Sequence, residues 1–136
     1  NPPIALYYMQ GLNTTPLHGH TALFGVYGML GIGLILFVLR AMDTEIEWNE
    51  KLLKYSFWGI NIGLALMALL SLLPVGLMQS IASVNHGLWY ARSAEFMQTD
   101  TIAFFKWMRV FGDTIFAIGA IGFAYFVLTL KIRFNK

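Results

Sequence analysis

The sequence has no cysteine, and its imidazole metal donors are His18, His20 and His86. Two of the three histidines form the run His18-Gly19-His20, at the head of a long apolar stretch. On a helix each residue turns by about 100°, so positions two apart lie about 200° apart. Imidazoles spaced in this way point to opposite flanks and cannot chelate one metal from a regular helix. They can serve two metals, one on each flank. That suits a helix lying between two haems, each iron taking one axial imidazole. Gly19 adds no side chain between the two donors. The alternative is a pair of interfacial histidines hydrogen-bonded to headgroups or loops. Ionisable side chains in apolar helices are costly, which gives weight to the functional reading. His86, beside Asn85 and Gly87, reads instead as a loop histidine.

A second pair with chemical potential is Arg109 and Asp113. Four residues apart on a helix, they share a face and can form an ion pair. One reading is mutual neutralisation that anchors the helix. The other is a carboxylate at the edge of a bilayer, able to accept a hydrogen bond or proton from an amphipathic substrate such as a quinol. Behind the histidines, Gly25, Gly28, Gly31 and Gly33 make a smooth stripe. Close helix–helix packing accounts for such a stripe, and so does a flat macrocycle lying against it. There is no Walker motif, no HExxH and no Ser-His-Asp arrangement.

The elements that must hold these residues are set by composition. Apolar residues make up 57% of the chain and charged residues 12%, against about 25% charged in a soluble domain. That excludes a disordered chain, an ordinary soluble enzyme and a nucleic-acid binder, for which no dense basic run exists. Three stretches stand out: Thr21 to Leu39 and Tyr55 to Met78, both without a charge, and Val110 to Leu130, whose one charge is Asp113. Each approaches the roughly 20 residues that cross a hydrocarbon core, where only a helix satisfies its own backbone. The prediction is an all-α integral membrane chain with three transmembrane helices, at about 16–40, 51–78 and 102–131. Asn13, Thr14 and Thr15 offer capping oxygens for the first, with Pro16 in its first turn. Gly59 and Gly63 form a small-xxx-small pair on the second, which Pro74 and Gly76 are expected to kink or end. An acidic loop with Asp43, Glu45, Glu47 and Glu50 joins these two helices. The segment from Gln79 to Thr101, with Trp89, Tyr90 and Arg92, is predicted to be interfacial.

The basic residues divide unevenly. Arg40, Lys51 and Lys54 flank the first loop, and Lys131, Arg133 and Lys136 occupy the tail on the same side; Arg92, Lys106 and Arg109 lie opposite. The positive-inside rule then puts the first loop and the C-terminus in the cytoplasm and all three histidines on the outer side.

With these residues in view, the run Gly11-Leu-Asn-Thr-Thr-Pro-Leu-His-Gly-His-Thr-Ala-Leu-Phe-Gly-Val-Tyr-Gly28 resembles the start of the tenth core helix of bacterial nitric oxide reductase large subunits. Those proteins belong to the haem–copper oxidase superfamily. The run Trp107-Met-Arg-Val-Phe-Gly-Asp-Thr-Ile-Phe116 resembles the same family, and its single-chain, quinol-dependent branch in particular. The resemblance covers essentially the whole chain, as the last three helices of a haem–copper oxidase-like bundle.

The resemblance implies that His18 is the proximal ligand of the high-spin haem b3 and His20 an axial ligand of the low-spin haem b. It implies that Asp113, with Arg109 one turn away, belongs to a quinol site. The reaction implied is the joining of two NO molecules with two electrons and two protons, giving N2O and water. The non-haem iron of such an enzyme needs three histidines and a glutamate from earlier helices, and the second axial histidine of haem b is also upstream. The expected partners are therefore lipid, quinol and the remaining helices of the same enzyme, with a homodimer admitted and nucleic acid excluded. The expected location is the bacterial inner membrane. Asn1-Pro2-Pro3 reads as the middle of a longer chain, so a C-terminal fragment, inactive alone, is expected. Two rivals remain: a fragment of an oxygen-reducing haem–copper oxidase, which also uses His-x-His here, and a small non-catalytic membrane subunit.

Overall fold

The computed structural model describes residues 3–42, 45 and 47–134, with side chains to residue 130. Asn1, Pro2, Asp43 and Lys136 of the readings above lie outside the described residues, as do the side chains of Lys131 and Arg133. The described residues contain helices and turns and no strand. A short helix, α1, spans Pro3–Met9. Gly11, at φ 70°, turns the chain into α2, Thr14–Met42. Next come α3, Glu50–His86, a 3-10 turn at Tyr90–Arg92, α4 at Ala94–Met97 and α5, Asp100–Phe134. Three helices, α2, α3 and α5, are long and apolar enough to cross a membrane.

Two of them contain π-helical turns. In α2 the π stretch covers Gly19–Gly28, so the wider register begins between the two histidines. Here side chains bond the carbonyls one turn back: Thr21 Oγ1 donates to the Leu17 carbonyl at 2.8 Å, and His20 Nδ1 reaches the Pro16 carbonyl at 2.7 Å. Such bonds compete with the regular backbone ladder. In α3 the π stretch is Ala68–Leu72. It precedes Pro74, whose ring has no N–H and would crowd the carbonyl four residues earlier. A π turn is a way to absorb that clash without breaking the helix. For this reason Pro74 and Gly76 do not end the second span at Met78. It continues to His86, and Gly87 at φ 91° terminates it. His86 is thus the last residue of a helix, not a loop residue.

The caps differ from expectation as well. Asn13 makes no side-chain cap to α2; Thr15 Oγ1 accepts from the Gly11 N–H at 3.2 Å instead. Asn49 does cap α3, accepting from the Leu52 N–H at 3.1 Å.

Packing is concentrated between α3 and α5. The buried residues Ser56, Ile60, Gly63 and Met67 form a single stripe on α3. A Cβ on Gly59 would lie 3.0 Å from Gly119 Cα, and one on Gly112 would lie 2.5 Å from the Met67 nitrogen. Glycines on both helices therefore let the backbones touch, the small-residue logic of membrane interfaces. By contrast α2 buries no residue from Gly19 onward. A Cβ on Gly25 would lie 3.6 Å from Leu64 Cδ2 of α3, but one on Gly31 or Gly33 would meet nothing within 4 Å, so helix packing within this chain does not explain that part of the stripe. At the histidine end, Leu12, Ala82 and Ala91 form a small buried cluster beneath Tyr90 and Phe96. At the other end Arg40 lies over the Trp48 ring, which meets Phe126 edge-on.

Candidate functional site

His18 and His20 line different cavities. His20 lies in one of 790 Å³ between α2, α3 and α5, with Leu23, Phe24, Leu64, Met67 and Phe116 as its apolar walls. His18 lies in one of 400 Å³ beside α1, with Leu6, Met9, Gly11 and Thr15. The spacing of two residues therefore puts the imidazoles on separate flanks here, even though the π register opens between them. His18 is exposed and His20 half-buried.

The atoms of His20 have assigned roles. The Pro16 carbonyl can only accept, so Nδ1 carries the proton and Nε2 presents its lone pair. A ring fixed through Nδ1 with Nε2 free is the usual state of an imidazole metal ligand. Nε2 accepts from Arg109 Nη2 at 3.4 Å, so a metal at Nε2 would take the place of that contact. Arg109 Nε also donates to both Asp113 oxygens, at 3.2 and 3.1 Å. The two side chains retain 39% and 48% exposure, so the pair is accessible from the cavity rather than locked in a core. His20, Arg109 and Asp113 thus form one chain of contacts across α2 and α5. His86 is remote from it, exposed, with its ring edge-on to Tyr90 at 5.1 Å.

Chemically, the larger cavity combines a fixed imidazole lone pair, an ion pair at the rim and walls of aliphatic and aromatic carbon. Phe24 and Phe116 meet edge-to-face across it at 5.1 Å. Gly19 carries no neighbour that a Cβ would strike within 4 Å, so space beside the histidine is open. This suits a flat apolar group whose metal takes an axial nitrogen, with room for the head of an amphipathic molecule at the ion pair. Among the described residues no three His, Asp or Glu side chains gather to hold a bare metal ion.

Of the buried polar residues Ser56, Ser71, Gln79 and Ser83, none stood out in the sequence, and Gln79 has the most partners. Gln79 is 4% exposed and bonds the start of α2 to the turns between α3 and α5. The available signal was an uncharged amide directly after the apolar run that ends at Met78.

Residues 1–115 match the family described as Cytochrome C and Quinol oxidase polypeptide I. A nitric oxide reductase subunit from Stutzerimonas stutzeri is 27% identical to the chain over 130 residues, covering 88% of this chain and 26% of that protein. The chain therefore spans about a quarter of that relative's length. The family match covers most of the chain and takes in both cavity histidines, Arg109 and Asp113, so the chain belongs to the cytochrome c and quinol oxidase polypeptide I family of haem–copper oxidases.

Proposed function

We propose that this chain is the C-terminal transmembrane part of a quinol-fed nitric oxide reductase of a bacterial cytoplasmic membrane, with its C-terminus in the cytoplasm. The observation that carries the reading is the pair of imidazoles on one helix that open into two separate cavities. The similarity to a known nitric oxide reductase supports the choice of substrate.

In this reading His20 would hold haem b through Nε2 and His18 would hold haem b3. The residues present fit the first group: a tautomer fixed by Pro16, apolar walls and an open face at Gly19. When bound, the haems supply one-electron transfer and, at b3, the iron where NO reacts. The protein's part is to present both imidazoles from one helix, α2, so that His20 and His18 would hold the two haems on its opposite flanks. Asp113 accepts a hydrogen bond or a proton from the quinol hydroxyl at the cavity rim. Arg109 pairs with that carboxylate and also reaches His20, which links the two across the cavity. The non-haem iron finds no set of donors among the described residues. Its ligands, like the second axial histidine of haem b, belong to helices outside this sequence, and the chain alone does not turn over NO.

The test is made on the full-length enzyme. His20→Ala should remove the low-spin haem from the reduced-minus-oxidised spectrum, and His18→Ala should remove the high-spin one. Each variant should still insert into the membrane. A low-spin haem that survives His20→Ala ends the ligand assignment. Consumption of O2 in place of NO by the wild-type enzyme, with quinol as donor, would move it to the oxygen-reducing branch.

A further inference from the structure

Gln79 lies on α3 near its histidine end, and both polar atoms of its side-chain amide are hydrogen-bonded. Oε1 accepts the backbone N–H of Asn13 at 2.8 Å. Nε2 donates to the Ala91 carbonyl at 3.0 Å and to the Met97 sulfur at 3.0 Å. The backbone N–H can only donate and the carbonyl can only accept, so the amide orientation is determined. Gly76, three residues earlier on the same face, lets the chain at Asn13 and Thr14 rest on α3. A Cβ there would fall 2.9 Å from the Thr14 nitrogen and 3.2 Å from the Asn13 carbonyl carbon. Three residues the other way, Ala82 is buried together with Leu12 and Ala91. Gly76, Gln79 and Ala82 together make a seat for the residues that lead into α2.

Beyond this seat α2 meets the rest of the chain at a few points, among them Arg109 on His20 and Phe116 on Phe24, and none of its residues from Gly19 onward is buried within this chain. A helix is stiff over one or two turns, and His18 and His20 lie that close to Asn13. We propose that Gln79 is a positioning residue, which by holding the Asn13 N–H fixes the rotation of α2 and so aims the two imidazoles into their separate cavities. This inference rests on the reading of His18 and His20 as haem ligands.

Two readouts on the full-length enzyme separate the seat from its consequence. Gln79→Met keeps the length of the side chain and loses both amide functions. It should speed amide hydrogen exchange over residues 12–15 by roughly fivefold, the worth of one ordinary hydrogen bond. It should also shift the electron paramagnetic resonance g-values of the ferric low-spin haem while haem content is retained, since those values follow imidazole orientation. Gln79→Glu, protonated when buried, restores an acceptor for Asn13 and a donor for Ala91. It should return both readouts toward wild type. Faster exchange with unchanged g-values overturns the proposal and leaves the haem assignment standing. A wild-type enzyme with no low-spin haem overturns both. If Gln79→Met does not assemble, Gly76→Ala disturbs the same seat without touching the amide. Shifted g-values there support the proposal, and unchanged ones overturn it.

Discussion

The chemistry of His20 depends on a proline. Pro16 cannot donate a hydrogen bond through its nitrogen, but its carbonyl accepts the Nδ1–H and leaves Nε2 as the acceptor of the ring. Arg109 then plays two parts at once, with Nε on the Asp113 carboxylate and Nη2 toward His20. An exposed ion pair one helical turn apart is worth only about 0.3–0.5 kcal/mol in water. At membrane depth its larger effect is to spare α5 a lone carboxylate. A carboxylate so held remains available to a substrate hydroxyl. Asp113→Asn keeps the shape and removes the charge. It should lower quinol-driven turnover by on the order of a hundredfold, the scale of a lost proton acceptor. Turnover fed by an artificial one-electron donor should stay near wild type. Equal loss with both donors would show that Asp113 serves the fold rather than the quinol.

At the scale of elements, the glycines divide into two classes by what stands opposite them. Gly63 faces the Phe116 backbone and Gly112 the Met67 nitrogen. A methyl group at either must push two helices apart, an overpacking cost of about 1–3 kcal/mol. Gly31 faces open space, where alanine gains helix propensity worth about 0.5–1 kcal/mol. In the isolated chain in detergent, Gly63→Ala and Gly112→Ala should lower thermal stability, and Gly31→Ala should not. In the full enzyme, Gly31→Ala becomes harmful only if a macrocycle or another helix covers that stripe. The Gly59–Gly63 pair and the Arg109–Asp113 pair were legible in the sequence because both obey plain helical spacing. The opposite flanks of His18 and His20 were legible for the same reason. The passage of α3 through Pro74 was not, because a π turn answers a local clash and has no composition of its own. Nor was the seat at Gln79, whose partners Asn13, Ala91 and Met97 are far apart in sequence and are brought together by the fold alone. The Asn13 side chain made a plausible cap, yet its backbone N–H is what the structure uses.

The molecule as a whole has two distinct ends. Antiparallel passage of α2, α3 and α5 gathers His18, His20, Gln79, Arg109 and Asp113 at one end, through the Asn13–Gln79 and Arg109–His20 contacts. Arg40, Trp48 and Phe126 meet at the other. Hydropathy alone fixes which segments cross, but only the charge balance between the ends fixes which end faces out. That balance counts Arg40, Lys51 and Lys54 on the Trp48 side and Arg92, Lys106 and Arg109 on the histidine side, and the basic tail residues Lys131, Arg133 and Lys136 follow α5 in sequence. The absence of cysteine from these 136 residues makes the orientation directly measurable. In a full-length enzyme stripped of its other cysteines, Asn85→Cys should react with a membrane-impermeant maleimide in cells whose outer membrane alone is opened. Glu47→Cys should react only once the inner membrane is broken. The opposite pattern would put the histidines on the cytoplasmic side. Protons released at Asp113 would then appear inside the cell, and the quinol site proposed here would have to take its substrate from the inner leaflet.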